Sequence, residues 1–320
     1  MTGQAATVSV AVISYNAATT IKETLDSILA QDLGPARIEL AISDDASHDE
    51  TVDVVERWLA RHGDAFANVV FLRNAENGGV SRNCNLVWRA SSAQWIKTIA
   101  ADDILQPHCL SANLEFADQH PDCSVIVSKM RWFGSIDRVT PEPSQLAFFQ
   151  RSALEQYQAL RFGSFNFAPT SFIRKKAFED IGYADEQFRN IEDLPLWLRF
   201  TRAGYALCFY DRETVNYRVS DSISKSSTRF VNVPFLRDLI EIHKQQTPIE
   251  ADGLRYRYLR FERGIGLYST LVISKLSGNR RSALTRVLEG LALLLRPRDL
   301  WGALRRRVGR LTGKASGTPG

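Results

Sequence analysis

The sequence contains few cysteines, and their spacing suggests no shared function. The four are spread along the chain, with no C-x-x-C pair and no cysteine–histidine cluster of the kind that binds zinc: Cys84, Cys109, Cys123 and Cys208. This pattern excludes a zinc module and a disulfide-rich secreted scaffold. It predicts buried free thiols in a protein of a reducing compartment.

The sequence also lacks long apolar runs, and residues 1–295 lack a net positive charge. The longest uncharged apolar-leaning stretch, residues 264–274, is much shorter than the roughly 20 residues that a membrane span needs. Residues 1–7 lack the basic-then-apolar order of a secretory signal. From Arg296 onward, seven basic residues and one acidic residue give +6, so with a total of +4 residues 1–295 carry −2. We therefore expect a cytoplasmic protein, soluble or peripheral to the membrane, and no nucleic-acid partner.

The chain has neither of the common Gly-rich phosphate loops. No G-x-G-x-x-G and no G-x-x-x-x-G-K-[ST] sequence occurs in it. A nicotinamide-dependent enzyme and a P-loop enzyme are therefore both disfavoured.

Strand-like and helical segments alternate through the first 130 residues. Short β-branched runs such as 8–13 and 38–42 predict buried strands, and apolar residues at helical spacing follow each of them. Two capping-box patterns, Thr20 to Glu23 and Ser47 to Glu50, predict the starts of the first two helices. The alternation predicts an α/β fold with a mostly parallel central sheet and helices on both faces.

The second half of the chain has a different pattern. Residues 131–165 are irregular and rich in aromatic side chains, and two strand-like runs follow at 206–210 and 214–219. From about residue 230 onward the pattern is helical. We therefore expect one α/β region at 1–225 and a helical C-terminal region at 226–320.

Acidic pairs follow two of the predicted strands. Asp44 and Asp45 end the second strand, and Asp102 and Asp103 follow the fourth. Either pair alone is typical of a helix cap or a turn. In an α/β sheet, however, both pairs reach the edge where ligands bind, and adjacent carboxylates repel unless a cation or hydrogen-bond donors face them. Mg²⁺ and Mn²⁺ prefer such oxygen ligands, so the edge is a candidate metal and phosphate site.

At this point the sequence resembles the inverting family 2 glycosyltransferases, which have the GT-A fold. Six motifs lie in the order of that family, within about residues 7–220: Val8–Asn16, Ser43–Thr51, Gly78–Asn83, Ala100–Asp103, Ala168–Arg174 and Ile191–Arg199. The resemblance implies a catalytic domain at 1–225, with a nucleotide-sugar half at about 7–130 and an acceptor half at about 131–225.

The resemblance also implies residues for the nucleotide. Ser14 and Tyr15 would lie at the nucleotide, with Tyr15 against the base. Asp45 would accept a hydrogen bond from the base, supported by Asp44, and Arg82 would help to hold the nucleotide. The implied donor is a nucleotide-diphospho-sugar, with a UDP-sugar favoured.

The chemistry implied by the resemblance involves the remaining carboxylates. Asp103 would bind a divalent cation, Mn²⁺ or Mg²⁺, on the diphosphate, and Asp102 would contact the ribose or the sugar. Asp193 would be the general base that takes the proton of the acceptor hydroxyl, with Glu192 as the fallback. By sequence alone, Asp193 is equally well explained as an acidic residue at a helix N-terminus.

One position departs from the family pattern. Many relatives have a His after the Tyr-Arg of the last strand, but here Tyr217-Arg218-Val219 is followed by Ser220 and Asp221. Either Asp221 replaces that His as a metal ligand, or the cation is held by Asp103, phosphates and water.

The sequence also suggests what the protein contacts outside the catalytic domain. From Pro297 the spacing predicts an amphipathic helix with an arginine-rich face, which either lies on an anionic membrane or packs on the domain. The resemblance implies a glycan or lipid-linked acceptor in cell-surface polysaccharide synthesis. One rival function is a non-catalytic, nucleotide-sugar-binding scaffold subunit. A nucleotidyltransferase of the same fold is disfavoured, because residues 14–20 contain no Gly and no Arg.

Overall fold

The computed structural model describes residues 6–219, 229–246, 253–302 and 304. Within them the chain forms nine strands and ten α-helices. The strands are β1 (Val8–Ser14), β2 (Ile38–Asp44), β3 (Asn68–Arg73), β4 (Trp95–Ala100), β5 (Ile104–Leu105), β6 (Val125–Gly134), β7 (Arg138–Thr140), β8 (Phe172–Arg174) and β9 (Leu207–Val219). The helices are α1 (Ile21–Leu29), α2 (Thr51–His62), α3 (Val80–Ala90), α4 (Cys109–Gln119), α5 (Ala153–Leu160), α6 (Lys175–Ile181), α7 (Asp193–Arg202), α8 (Val233–Gln245), α9 (Leu254–Leu276) and α10 (Ala283–Leu294).

All nine strands belong to one mixed sheet. Its order is β3-β2-β1-β4-β8-β6-β9-β5, and β7 pairs with β6 outside this path. The first four strands in this order are parallel, as is the β6–β9 pair, whereas β8, β5 and β7 run antiparallel to their neighbours. The α/β architecture is confirmed, with β1 to β4 as its larger parallel part and β6 and β9 as a second parallel pair.

The strand β1 lies in the centre of the parallel half and is mostly apolar. Val8, Val10 and Val12 are completely buried, as expected for a strand covered by helices on both faces. In register, Ser14 pairs with Asp44 of β2, and Ile13 pairs with Ala100 of β4. The residues that follow these three strands therefore emerge next to one another.

Two local predictions are wrong, and a third is confirmed for the helix start but not for the side-chain cap. The helix α2 begins at Thr51, and Ser47 does not cap it, because its hydroxyl donates to the Asp44 carboxylate at 2.6 Å. Thr20 does precede α1, but its hydroxyl donates to the carbonyl of Ala17 at 3.4 Å and makes no cap bond. The two runs at 206–210 and 214–219 form one strand, β9, which shifts register against β6 near Lys129.

The prediction of four free thiols is also wrong. Cys123 and Cys208 form a disulfide with a Cα–Cα distance of 6.0 Å, and the other two cysteines, Cys84 and Cys109, are buried free thiols as expected. The bridge forms because β6 and β9 are neighbours: Cys208 pairs in register with Ile126, shortly after Cys123. Sequence spacing could not reveal a pairing across 85 residues.

The chain divides into two compact units, residues 1–220 and 221–320. The second unit contains α8, α9 and α10, followed by helical residues at 297–302. The predicted amphipathic tail continues past residue 304 and so lies mostly outside the described residues. In the part of the chain that the structure describes, none of the helices is both long and apolar enough to cross a membrane.

Candidate active site

The carboxylate of Asp44 is fully engaged at the end of β2. It accepts hydrogen bonds from the Ser14 hydroxyl at 2.9 Å, the Ser47 amide at 2.9 Å and the Ser47 hydroxyl at 2.6 Å. Asp44 and Ser14 are both almost completely buried. These two residues, predicted to lie at the nucleotide, therefore fix the β1 and β2 ends against each other.

Asp45 fastens the Gly-rich loop to the sheet. Its two oxygens accept from the Gly78 amide at 2.8 Å and the Gly79 amide at 2.9 Å, and Asn74 donates to it at 3.1 Å. Gly79 has a φ of 87°, and a Cβ there would lie 2.5 Å from the Arg189 carbonyl oxygen, so a side chain would be excluded. The carboxylate that is predicted to contact the base thus already holds the loop that precedes α3.

Tyr15 and Arg82 extend from this frame. Tyr15 is 44% exposed, with its ring 6.4 Å from that of His48 in an edge-on arrangement. Arg82 lies in the first turn of α3, close to Gly78, and pairs with the exposed Glu76 at 3.2 Å. Because both side chains remain accessible, they are suited to contact a bound nucleotide.

Asn83 is an interior residue of this region whose role the sequence did not reveal. Its side-chain oxygen accepts from the Ser43 hydroxyl at 2.6 Å, and its nitrogen donates to the Ser43 carbonyl at 3.1 Å. Asn83 is 3% exposed, so it joins α3 to β2 beneath the loop. The signal was the Arg82–Asn83 pair, of which only the arginine was singled out.

The second acidic pair lies in the turn after β4, against the end of β9. The Arg218 amide donates to Asp103 Oδ1 at 2.9 Å, and its guanidinium donates to the Asp102 carbonyl at 2.8 Å and pairs with Glu23. Asp103 is 1% exposed, and its Oδ2 is buried without a hydrogen-bond partner among the residues that the structure describes. A buried carboxylate oxygen without a donor is suited to a cation.

The environment of Asp103 is costly for a negative charge in the absence of a ligand. Burial and the neighbouring charge of Asp102 raise the pKa of Asp103 well above its usual range, against the opposing effects of Arg218 and Lys97. Burial likewise raises the pKa of Asp102. No group of three or more His, Cys, Asp or Glu within the described ranges could hold a metal by itself. The donor set therefore fits a cation shared with substrate phosphates and not a closed protein cage.

Lys97 is a buried cation near this pair. Its ammonium group donates to the carbonyls of Thr98 at 3.0 Å, Pro169 at 2.5 Å and Ser171 at 3.3 Å. Burial lowers the pKa of Lys97 to about 8, and the charge of Asp103 opposes this effect. Lys97 thus links β4 to the turn before β8 and supplies a positive charge near Asp103.

The predicted bases lie at the start of α7. Asp193 accepts a hydrogen bond from the Leu194 amide at 2.6 Å, and Glu192 precedes it as the cap residue. Burial, and then the charge of Asp193, raise the pKa of Glu192 to about 8, and burial raises the pKa of Asp193 as well. The raised pKa of Glu192 means that this carboxyl holds its proton to higher pH than an ordinary glutamate does.

Tyr217 lies within electrostatic range of both the Asp102–Asp103 pair and Asp193 of α7. Burial, together with the charges of Asp103, Asp102 and Asp193, raises the pKa of its phenol to about 12, while a hydrogen bond with Asn166 opposes this rise. Its ring packs edge-on against Trp132 at 4.8 Å. The neutral hydroxyl thus lies within electrostatic range of both acidic pairs. From the sequence alone, only its place in the Tyr-Arg motif was recognisable.

Three further residues discussed for the site, Asp221, Trp197 and Arg199, are either outside the described residues or have structural contacts. Asp221 lies outside the described residues, so the structure adds nothing to its predicted role as a ligand. Trp197 is 1% exposed and packs on Phe167, and Arg199 donates to the carbonyls of Ile181 and Tyr183. Both have the packing and capping roles that their helical positions favoured.

Residues 9–182, more than half of the chain, match the profile of the family described as "Glycosyl transferase family 2". The chain belongs to this family. EpsE of Bacillus subtilis, provisionally named a glycosyltransferase, is 23% identical over 227 residues, which are 69% of this chain and 76% of EpsE. The poly(ribitol-phosphate) β-N-acetylglucosaminyltransferase TarS of Staphylococcus aureus is 24% identical over 58% of this chain but only 30% of its own length.

Solved structures of other transferases have a similar fold. TarS residues 1–349 in complex with UDP-GlcNAc align with a TM-score of 0.60 and 18% identity, over 83% of this chain and 80% of that chain. The mannosyltransferase PcManGT of Pyrobaculum calidifontis, in complex with GDP-Man and Mn²⁺, aligns with a TM-score of 0.59 and 17% identity, over 96% and 88%. The predicted GT-A fold is thus confirmed, and the family supports glycosyl transfer as the activity.

Proposed function

We propose that this chain is a metal-dependent, inverting glycosyltransferase. It transfers a sugar from a nucleotide-diphospho-sugar to a hydroxyl of a glycan or lipid-linked acceptor in cell-surface polysaccharide synthesis. The observation that carries the proposal is the buried Asp103 Oδ2 at the sheet edge, which has no hydrogen-bond partner among the described residues. The Tyr217 hydroxyl is within electrostatic range both of this group and of the acidic pair that begins α7. One acidic group is suited to the diphosphate and the other to the acceptor.

The reaction is a single displacement. The acceptor oxygen forms a bond to the anomeric carbon, and the bond from that carbon to the diphosphate oxygen breaks, with its electron pair leaving on the nucleotide. Asp193 takes the acceptor proton, since the raised pKa of Glu192 means that this carboxyl holds its own proton to higher pH. Attack opposite the leaving group inverts the anomeric carbon, so no covalent sugar–enzyme intermediate is needed.

The leaving diphosphate needs charge neutralisation. A bound Mn²⁺ or Mg²⁺ would supply it, as a Lewis acid held by Asp103 together with the phosphates. Asp221 is the candidate for a further ligand, and Asp102 for a contact to the ribose or the sugar. Arg82 and Tyr15, both accessible beside the Asp45-bound loop, would hold the nucleotide.

The donor and acceptor follow by analogy. TarS was solved with UDP and with UDP-GlcNAc, and PcManGT with GDP-Man, so both nucleotides occur among proteins of this fold. We favour a UDP-sugar, because the TarS structures carry it. The name of TarS, a transferase acting on poly(ribitol-phosphate), supports a cell-surface polymer as acceptor. We also propose that the arginine-rich tail makes a peripheral contact with anionic membrane.

The test is a thermal-shift screen against UDP, GDP and dTDP, each with Mn²⁺ and with a chelator. A ligand that binds the native state alone raises the melting temperature by mass action. We expect a metal-dependent shift with one nucleotide, lost in Asp103→Asn and kept in Asp137→Asn, an exposed loop carboxylate as the matched control. A shift unaffected by chelation or by Asp103→Asn would contradict the metal assignment.

A turnover assay separates catalysis from binding. With the identified donor, hydrolysis or transfer is expected to fall by about 10²–10⁴-fold in Asp193→Asn, while nucleotide affinity stays unchanged. Binding without any turnover in the wild type would favour the scaffold function instead.

A further inference from the structure

Exposed large apolar side chains are concentrated in the second unit. Sixteen such residues occur in the described part of the chain, and thirteen of them lie between residues 254 and 304. They are Leu254, Tyr258, Phe261, Tyr268, Val272, Leu276, Leu284, Val287, Leu291, Leu294, Leu295, Trp301 and Leu304. Exposed apolar surface of this density is characteristic of an interaction site.

On α9 these side chains form one stripe. Its six exposed members, from Leu254 to Leu276, recur three, four or seven residues apart along a 23-residue helix. At 100° per residue they fall within an arc of about 80° and extend for about 33 Å. The stripe therefore runs along the whole helix.

The helix α10 has the reverse of the usual pattern of burial. It buries Thr285 and Ala292, whereas Leu284, Val287 and Leu291 are each more than half exposed. Leu294 and Leu295 continue the same face, and the five leucine and valine side chains fall within an arc of about 100°. A helix packed on a core would turn this arc inward.

The two stripes lie on the same side of an antiparallel hairpin. The Arg298 amide donates to Glu262 at 2.8 Å, and Arg296 lies against Gly266, so the residues after α10 return to the middle of α9. Seen along each helix from its N-terminus, Glu262 and Gly266 lie about 100° clockwise of the stripe on α9, and the buried Thr285 and Ala292 lie about 110–130° clockwise of the stripe on α10. Because antiparallel helices are viewed in opposite directions, equal senses place both stripes on one face.

Basic side chains surround this face. Residues 253–304 contain ten basic and three acidic side chains, a net charge of +7. Arg255, Arg257, Lys275, Arg280 and Arg286 are among those that are exposed. In a symmetric dimer through this face, two such charges would oppose each other. The residues of this chain outside the described ranges contain only five large apolar side chains, too few to cover thirteen.

We propose that the joint face of α9 and α10, defined by the eleven exposed apolar residues from Leu254 to Leu295, binds the surface of an anionic lipid bilayer; Trp301 and Leu304 follow it at the start of the tail. The apolar stripes insert at the boundary between headgroups and acyl chains, and the arginines contact the anionic headgroups. Tyr258, Tyr268 and Trp301 have the amphipathic rings that favour this depth. The surface differs from the arginine-rich tail, and the proposal does not depend on the glycosyltransferase activity.

Trp301 allows a test on the unmodified full chain. It is 59% exposed, whereas the other five tryptophans are at most 5% exposed. Adding phosphatidylglycerol-containing vesicles should shift the emission to shorter wavelength, and lipid-borne quenchers should reduce it. Vesicles of phosphatidylcholine alone should have a much smaller effect, and salt should weaken binding. A Trp301→Phe variant, which should still bind, identifies the source of the signal.

The face itself is tested with a double variant, Val287→Glu with Leu291→Glu, in vesicle co-sedimentation. Both residues are exposed, so helical content and melting temperature should be unchanged. We expect partition onto anionic vesicles to fall at least about tenfold. The matched control is Leu154→Glu, which changes an equally exposed leucine of α5 and should bind as the wild type does.

Three outcomes would overturn the proposal. The wild type fails to bind anionic vesicles, or the double variant binds as well as the wild type, which would assign binding to another surface such as the tail. The third is a stable wild-type dimer that the double variant dissociates, which would make a second copy the occupant of the face.

Discussion

Asp45 offers a quantitative test of how the candidate nucleotide site is built. Its buried carboxylate accepts hydrogen bonds from Gly78, Gly79 and Asn74, two of them from backbone amides. Hydrogen bonds to a charged group contribute about 1.5–3 kcal/mol each, and a buried donor left without a partner costs about 1–3 kcal/mol. Asp45→Ala removes both acceptor oxygens and with them all three hydrogen bonds, so we expect a loss of about 5 kcal/mol in the free energy of unfolding.

The amide variant refines this expectation. In Asp45→Asn the remaining oxygen can still accept from Gly78 and Asn74, while the new NH₂ group faces the Gly79 amide. One charge-assisted bond is lost and two donors meet, so we expect a loss of about 2–3 kcal/mol. Urea unfolding followed by circular dichroism measures both variants. Asp53→Asn, an exposed carboxylate on α2, should stay within about 0.5 kcal/mol of the wild type.

The result also decides between two roles of the carboxylate. If Asp45→Ala lowers stability by less than about 1 kcal/mol, the reasoning from these hydrogen bonds is refuted. A variant that remains as stable as the wild type but no longer binds nucleotide would assign Asp45 to the base, as the family resemblance implies. A loss of both properties would mean that the loop must be held before it can bind.

Three further changes have expected outcomes. The raised pKa of Glu192 makes the wild type lose stability as pH rises from about 4.5 to about 8, so the stability advantage of Glu192→Gln should grow over that window. The full shift corresponds to about 5 kcal/mol, which we reduce to about 2 kcal/mol because the side chain is partly exposed. Equal pH profiles of the two proteins in unfolding experiments would contradict this expectation. Replacing Cys123 and Cys208 by serine opens a loop of 85 residues and should lower the free energy of unfolding by about 4.5 kcal/mol. A thiol titration that finds four free thiols in the non-reduced wild type would exclude the disulfide. Tyr217→Phe keeps the packing on Trp132 and removes the hydroxyl near both acidic pairs, so kcat should fall about tenfold with little change in the KM for the donor; an unchanged kcat would remove this residue from the reaction.

The parallel half of the fold was predictable because its signals are local. The β-branched run of β1 and the residues that follow it identify a buried strand and its end, and parallel pairing brings Ser14 beside Asp44. By contrast, β8 has three residues and lies between β4 and β6, a position set by long-range pairing. No local pattern indicates such an insertion.

The details of the site were less predictable for the same reason. The backbone amides of Gly78 and Gly79 donate hydrogen bonds to the Asp45 carboxylate, which lies more than 30 residues earlier in the chain. Such a long-range contact has no local signal in the sequence. The capping role expected of Ser47 was wrong because Asp44, three residues earlier, competes for its hydroxyl. Sequence identified which carboxylates reach the sheet edge, but not which of their oxygens are already bonded.

The contact between Arg218 and Asp103 has a consequence for biosynthesis. The amide that supports Asp103 lies 115 residues later in the chain. At a translation rate of about 5–20 residues per second, it follows the acidic turn by about 6–23 s. During that interval the emerging polypeptide has both carboxylates of the turn but lacks the guanidinium and the amide that offset their repulsion. The surroundings of Asp103 are therefore completed only after the last strand has left the ribosome.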